Sequence, residues 1–245
     1  MNSAVRHVGI LGHSWEGAAE CWREVCRHSA RLGHPGHPDV TMDCISFETC
    51  MPAWEVGDHA AVRAVLATGV DRLARAGCEF FVCPDNTAHL ALEAPGVPLA
   101  LPGLHLIDLV ADAARRAGHT RVGVLGTRFT MEGPLYPREL AARGIEAVVP
   151  AAADRAMVDT AIFTELVHGE FHDGTRAAFV DLVDRLAASG CDAVALVCTE
   201  IPLLLTPEER PLPVLDSTRI AGRAALEVAL GHRPAPTWRG ASFRP

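Results

Sequence analysis

Two segments of the sequence carry side chains that could move protons to and from a carbon atom. Asp85 follows the apolar run FFVCP, and Cys198 follows the apolar run AVALV. A carboxylate can remove a proton from one face of an activated carbon, and a second group can return a proton to the opposite face. A position between a strand and a helix also favours the thiolate form of a cysteine. The pair is therefore suited to inversion at carbon.

Each of these residues also has a purely structural interpretation. Asp85 and Asn86 are common N-cap residues at the start of a helix. Cys198 could be a small buried residue, and Glu200 either orients the thiol or stabilises the first helical turn.

Two neighbours of Asp85 have similar alternatives. His89 lies one turn into the expected helix, where it either faces the site or serves as a packed or capping histidine. Cys83 shares the strand face of Asp85, and we assign it to the core.

The chain contains one internal repeat that relates the two reactive positions. Three pairs of segments recur in the same order, at spacings of 114, 113 and 115 residues: HVGILGH with RVGVLGT, AGCEFFVCPDNTAHLAL with SGCDAVALVCTEIPLLL, and VPLALPG with LPVLDST. Two copies of this length indicate a duplicated lobe. The spacing of 113 residues places Asp85 opposite Cys198.

Helical patterns separate the apolar runs, at residues 60–77, 106–118 and 175–190. This alternation predicts an α/β protein of two pseudo-symmetric three-layer lobes with parallel central sheets and the active site in the cleft between them. The expected division is residues 1–103 plus 216–233 for the first lobe, 104–215 for the second, and 234–245 as an extension.

The absence of lysine and the acidic net charge argue against several classes of function. All 22 basic residues are arginine, so the chain has neither the Schiff-base lysine of a pyridoxal-phosphate enzyme nor the lysine of a P-loop. The net charge of −8 argues against nucleic-acid partners and against a basic membrane surface. We expect no cofactor, with a small molecule as the partner.

The cysteines and the N-terminus bear on location. Eight cysteines without a CxxC pair favour reduced thiols over disulfides or structural zinc. The HPGHP segment at 34–38 is typical of a surface loop, and we expect no metal site. The short apolar stretch near the N-terminus is no signal or membrane segment, so we expect a cytoplasmic protein.

Several motifs resemble those of the aspartate/glutamate racemase superfamily, which works without pyridoxal phosphate. The similar blocks, in family order over about residues 7–230, are GILGHSWEG, VGVLGTRFTME followed by Tyr136, IFTELVHGEF, VCTEIPLLL and PVLDST. The first is closest to a branch that reads G-G-M-S-W-E. The resemblance implies two pseudo-symmetric lobes, a homodimer and two-base proton transfer.

The resemblance also implies roles for individual residues. Cys198 matches the second catalytic cysteine of the family, opposite Asp85 as the other catalytic candidate. The positions that hold the amino and carboxylate groups of the substrate correspond to Ser14, Asn86, Thr87, Thr127, Thr130 and Thr199, and we add Glu200 to these substrate-binding candidates.

The chain departs from the family in two places. The family usually reads C-N-T-A-H where this chain has Asp85 as the first residue, although one branch has threonine there. An ordinary carboxylate is a weak base, so burial or a neighbouring negative charge would have to raise its pKa.

Val167 stands where many aspartate racemases have lysine, and the segment ETCMPAWE lacks a clamping arginine. Arg128 could replace it or be a surface group, and Met51 with Trp54 could line a less polar pocket.

The sequence therefore predicts a cofactor-independent racemase or epimerase of an amino acid, similar to the aspartate and glutamate enzymes. Two alternatives remain open at this stage. One is a one-sided decarboxylase or isomerase of a related carboxylic acid, in which the remaining cysteine protonates an enediolate. The other is a ligand-binding relative that has lost catalysis.

Overall fold

A computed structural model of the chain describes residues 5–205 and 211–241. The described residues group into two compact units, one within Met1–Leu106 and Thr218–Pro245 and one within Ile107–Ser217. Each unit is built around a parallel four-stranded sheet with flanking helices, so the predicted α/β class with two parallel sheets is confirmed.

The first unit begins with the elements β1 (Val8–Gly12), α1 (Trp15–Arg31), β2 (Val40–Cys44), a 3-10 turn (Phe47–Thr49), α2 (Met51–Glu55), α3 (His59–Arg75), β3 (Phe80–Val82), α4 (Ala88–Leu92) and β4 (Gly103–Leu104). These strands are short and mostly buried apolar runs, as expected where helices cover a parallel sheet.

The second unit continues with α5 (Leu106–Ala117), β5 (Arg121–Leu125), α6 (Arg128–Met131), α7 (Leu135–Ala141), β6 (Glu146–Val148), α8 (Ala152–Thr164), a 3-10 turn (Leu166–His168), α9 (Asp173–Ala188), β7 (Ala193–Leu196), α10 (Ile201–Leu204) and β8 (Val214–Asp216). Helix α11 (Ser217–Ala229) then returns the chain to the first unit.

The two sheets have the same strand order. The first runs β2-β1-β3-β4 and the second β6-β5-β7-β8, with every neighbouring pair parallel. In each sheet the first strand in sequence lies next to the third, so the loops after these two strands meet at one edge. Asp85 and Cys198 follow the third strand of their respective sheets.

The third repeated segment pair is aligned differently from our expectation. Val82 pairs with Leu104 on β4, and its repeat partner Ala195 pairs with Leu215 on β8. Leu104 and Leu215 are therefore equivalent, at a spacing of 111 residues instead of 115. The proline-rich stretch before β4 precedes the strand because proline cannot donate a ladder hydrogen bond.

The described part of the expected C-terminal extension packs on the first unit. The backbone N–H of Gly103 donates to the carbonyl oxygen of Trp238 at 2.7 Å, and the Trp238 ring stacks on His89 with centroids 5.6 Å apart. Trp238 is buried. None of the helices described is both long and apolar enough to cross a bilayer.

Candidate functional site

Asp85 lies in the loop between β3 and α4, three residues beyond the end of the strand. Its side chain is half-buried, and Oδ1 accepts a hydrogen bond from the backbone N–H of Ala88 at 3.0 Å. This is the N-terminal capping contact expected of an aspartate before a helix. Asp85 therefore has a structural contact whether or not it also handles protons.

His89 holds the Asp85 loop in place. Its Nδ1–H donates to the Asp85 carbonyl oxygen at 2.8 Å, and its Nε2 accepts from the backbone N–H of Leu106 at 3.1 Å. Burial lowers the pKa of His89 to about 3, so the ring is neutral near pH 7. His89 is fully buried, which favours the packed interpretation over a residue that faces the site.

Three thiols lie in the electrostatic field of Asp85. Burial, with the Asp85 charge as a further cause, raises the pKa of Cys50, and the same two causes raise the pKa of Cys83 well above its usual value. Burial raises the pKa of Cys44, together with the charges of Asp43 and Asp85. All three thiols are therefore protonated near pH 7, and the fully buried Cys83 fits its assignment to the core.

His13 is a site residue that the sequence analysis missed. The β1–β3 register ends at Ile10 opposite Val82, and His13 and Asp85 each follow three residues later, where the Asp85 charge acts on the His13 ring. The repeat offered a signal: HVGILGH ends in His13 where RVGVLGT ends in Thr127.

The other candidates of the first unit lie at the same sheet edge. Ser14 is the N-cap of α1, and its Oγ accepts from the backbone N–H of Gly17 at 3.4 Å. Asn86 and Thr87 are buried between Asp85 and α4, with Thr87 at the N-cap position. The unit thus brings Ser14, Asp85, Asn86 and Thr87 to the ends of β1 and β3.

In the second unit the thiol of Cys198 contacts a carboxylate. Cys198 Sγ donates to Glu200 Oε2 at 2.9 Å, and the two side chains are 9% and 3% exposed. Glu200 occupies the N-cap position of α10 but makes no capping hydrogen bond through its side chain. The geometry therefore favours Glu200 as the residue that orients the thiol.

The threonine candidates of this unit lie beside Cys198. The β5–β7 register ends at Leu125 opposite Leu196, which places Thr127 level with Cys198. Thr127 Oγ1 and Thr130 Oγ1 are 3.2 Å apart in a hydrogen bond. Both are buried, as is Thr199. These three hydroxyl groups thus lie on the segments that follow β5 and β7, and the second of these segments carries the thiol.

The residues considered for side-chain recognition have other partners. Arg128 forms an ion pair with Asp159, with Nη1 and Oδ2 3.2 Å apart, and its side chain is half-exposed. Val167 packs against the apolar core of the second unit. Trp54 is 2% exposed and donates to His13, so it supports the site instead of lining an open pocket.

Metal ligands are not grouped in the part of the chain that the structure describes. Over residues 5–205 and 211–241, no three His, Cys, Asp or Glu side chains are placed to share an ion. None of the eight cysteines, all of which lie within the described residues, forms a disulfide.

Comparison with known sequences identifies a family over most of the chain. A sequence model described as Asp/Glu/Hydantoin racemase matches residues 10–225. The broad-specificity amino-acid racemase RacX of Bacillus subtilis (strain 168) is 22% identical over 176 residues, which are 72% of this chain and 76% of that protein.

Solved structures agree with this result. A structure described as a putative Asp/Glu racemase from Yersinia pestis aligns with a TM-score of 0.80 at 31% identity, over 92% of this chain and 99% of the other. An aspartate racemase homologue from Pyrococcus horikoshii OT3 aligns with a TM-score of 0.75 at 26% identity, over 91% of this chain and 99% of the other.

Proposed function

The chain belongs to the Asp/Glu/Hydantoin racemase family, and on that premise we propose that it inverts the α-carbon of amino acids without a cofactor. One observation carries the proposal: a thiol in hydrogen-bond contact with a carboxylate follows the third strand of one sheet, and a carboxylate follows the third strand of the other. The family and the shared strand order support this interpretation.

The proposed reaction uses two proton transfers at one carbon. In one direction Asp85 takes the α-proton, so that the Cα–H bond breaks and an O–H bond forms. The Cys198 thiol then gives its proton to the opposite face, which leaves a thiolate and a protonated Asp85. Before the next turnover in this direction Asp85 releases its proton to solvent, and the thiolate takes one up with the help of Glu200. In the other direction the Cys198 thiolate is the base and the Asp85 carboxyl is the acid.

The polar groups around these two residues hold the substrate. We assign this role to the residues at the four strand ends: Ser14, Asn86, Thr87, Thr127, Thr130, Thr199 and Glu200. Hydrogen bonds to the α-carboxylate stabilise the negative charge that develops on it as the α-proton leaves.

A substrate without an acidic side chain fits the site better than aspartate does. Arg128 already pairs with Asp159, and Val167 packs in the core where many aspartate racemases have lysine. The Asp85 carboxylate would also repel a second carboxylate. The broad specificity stated in the name of the Bacillus relative supports a substrate panel that includes neutral amino acids.

We also propose that the enzyme is a cytoplasmic homodimer. The family resemblance supports the dimer, and the free cysteines fit a reducing compartment. Sedimentation velocity measures the oligomeric state directly, and a monomer at micromolar concentration would contradict the dimer.

The test is α-proton exchange in D2O with a panel of L- and D-amino acids, followed by NMR and by chiral chromatography. Exchange with inversion supports racemisation, whereas CO2 release would indicate a decarboxylase. Asp85→Asn and Cys198→Ser should each reduce inversion by about 100-fold or more. Serine retains a hydrogen-bond donor to Glu200, so the loss would reflect the thiol itself.

A matched control separates catalysis by Asp85 from helix capping. Asp58 accepts from the backbone N–H of Ala61 at 2.9 Å, the same local contact that Asp85 makes with Ala88 at 3.0 Å. Asparagine can replace either cap, so Asp58→Asn and Asp85→Asn should unfold at similar denaturant concentrations. Only Asp85→Asn should lose inversion. Near-normal rates in Asp85→Asn would make Asp85 a capping residue only.

A further inference from the structure

His13 stands beside Asp85 at the end of the neighbouring strand. Both residues lie three positions past Ile10 and Val82, the last paired residues of β1 and β3, and the Asp85 charge acts on the His13 ring, which is 1% exposed. A histidine so close to a carboxylate commonly becomes protonated, because the two opposite charges attract. The contacts of this ring act against that outcome.

Trp54 determines which nitrogen of His13 carries the proton. The Trp54 indole Nε1–H donates to His13 Nε2 at 3.1 Å, and Trp54 is itself buried. An indole N–H can only donate, so Nε2 must be the bare nitrogen and Nδ1 the protonated one. The Phe47 ring packs on the imidazole with centroids 4.8 Å apart.

A doubly protonated ring would find no acceptor at Nε2, where it would meet the Trp54 donor. Nδ1 lies near the backbone of Ile45, and no residue of the described chain bonds to it at normal hydrogen-bond geometry. Burial lowers the pKa of His13, and the Asp85 charge and the Ile45 backbone only partly oppose that effect. The surroundings therefore disfavour imidazolium.

We infer that Trp54 and His13 form a neutral lock: the indole keeps the imidazole uncharged beside Asp85, so that no ion pair weakens this carboxylate as a base. His13 is a positioning residue of the base. The inference rests on the proposed function, in which Asp85 receives the α-proton. An adjacent imidazolium would lower the pKa of a carboxylate by about 1–3 units, and this base is already weak.

Two thiols and one further histidine lie near the pair. Cys44 at the end of β2 and Cys50 before α2 have raised pKa values. His59 at the start of α3 packs edge-on against Trp54, with centroids 5.5 Å apart. Within this cluster, Asp85 and His13 are the pair whose charge state the Trp54 contact controls.

The first experiment follows the His13 ring by 15N NMR in the wild-type protein from about pH 5 to pH 9. The His13 signals are assigned by their loss in His13→Gln. We expect a neutral ring protonated on Nδ1 over this range. A ring protonated on Nε2, or one that becomes charged near pH 6.5, would overturn the lock. This measurement needs no substrate and no activity.

The second experiment removes the indole donor with Trp54→Phe. His13 should now titrate within the range, and kcat/KM for inversion should fall about tenfold from pH 8.5 to pH 5.5 relative to wild type. At pH 8.5 the two proteins should agree within about threefold, because His13 is neutral in both. A purely structural effect would lower activity at every pH.

Two further variants complete the test. Trp22→Phe, at a half-exposed position on α1, should behave as wild type. The double variant Trp54→Phe with His13→Gln should lose the additional fall at low pH, because glutamine cannot be protonated. If the additional fall in kcat/KM at low pH persists in the double variant, the proposed lock is overturned. Wild-type protein without racemase activity would refute the proposed function alone, and the ring titration would still decide the lock.

Discussion

The two proposed catalytic side chains, Asp85 and Cys198, have unequal local surroundings. Cys198 donates to a buried carboxylate two residues away, whereas Asp85 accepts from a backbone N–H and lies among protonated thiols. A thiol beside a carboxylate has an acceptor for its proton, and a carboxylate among neutral groups is not weakened by a cation.

Glu200→Gln tests the carboxylate beside the thiol. The amide cannot take a proton, so we expect kcat for inversion to fall about 10- to 100-fold, with a smaller rise in KM because Glu200 is also assigned to substrate binding. Chiral chromatography under steady-state conditions measures both constants. Glu132→Gln, on an exposed ion pair with Arg155, should leave both constants unchanged. An unaltered kcat in Glu200→Gln would show that the hydrogen bond to Cys198 is structural.

Arg128→Gln tests whether this arginine binds a side-chain carboxylate. Its guanidinium already pairs with Asp159, so we expect KM for aspartate and glutamate to change by less than about twofold. The same kinetic assay, run with acidic and neutral amino acids, gives the comparison. A tenfold rise in KM for the acidic substrates alone would identify Arg128 as the missing clamp.

At the scale of elements, close packing between α11 and α1 holds together the two ends of the chain in the first unit. Helix α11 meets α1 at Gly222, where an added Cβ would lie 2.8 Å from the Cys21 carbonyl oxygen and 2.9 Å from Glu24 Cβ. Glu24 is also buried and accepts from Arg223 on α11 at 2.7 Å. Helix α1, which carries Ser14 as its cap, thus packs through its middle on a helix from the far end of the chain.

Gly222→Ala should therefore destabilise the protein by about 1–3 kcal/mol, because backbone atoms of α1 cannot move aside cheaply. Urea unfolding followed by circular dichroism measures the change. Gly174→Ala is the matched control, since an added Cβ there meets no atom within 4 Å. Equal stability of the two variants would contradict the close approach of α11 to α1.

At the scale of the whole molecule, buried neutral histidines make stability depend on pH. The folded state holds the pKa of His89 at about 3, and burial also lowers the pKa of His13. The unfolded chain takes up these protons below about pH 6.5, where the folded state does not. The contribution of the two neutral histidines to the free energy of unfolding is therefore complete above about pH 6.5, and it is lost as the pH falls towards 3.

The free energy of unfolding should fall by roughly 3 kcal/mol between pH 7 and pH 4 because of His89 alone. Urea midpoints at pH 7, 5 and 4 measure it. His89→Gln should be less stable at pH 7, because it disturbs the contacts with Asp85 and Leu106, but its stability should vary less with pH. The same pH dependence in both proteins would exclude His89 as its source.

The amino-acid sequence alone determined the class of fold and the equivalence of the two reactive positions. Alternating apolar runs and amphipathic helices require parallel sheets, and the repeat spacing relates Asp85 to Cys198 because duplicated chains keep their strand order. The absence of lysine argued against a pyridoxal-phosphate enzyme and against a P-loop protein from composition alone. These features depend on local pattern and composition, which a sequence displays directly.

Tertiary structure decided the contacts between side chains that are distant in the sequence. Trp54 reaches His13 from 41 residues away, and Arg128 meets Asp159 across 31 residues. Such contacts depend on strand register, helix packing and side-chain rotamers, none of which has a periodic signature. The two-residue length of β4 and the burial of His89 beneath the Asp85 loop also depend on such long-range contacts. The sequence pattern therefore gave no signal for either.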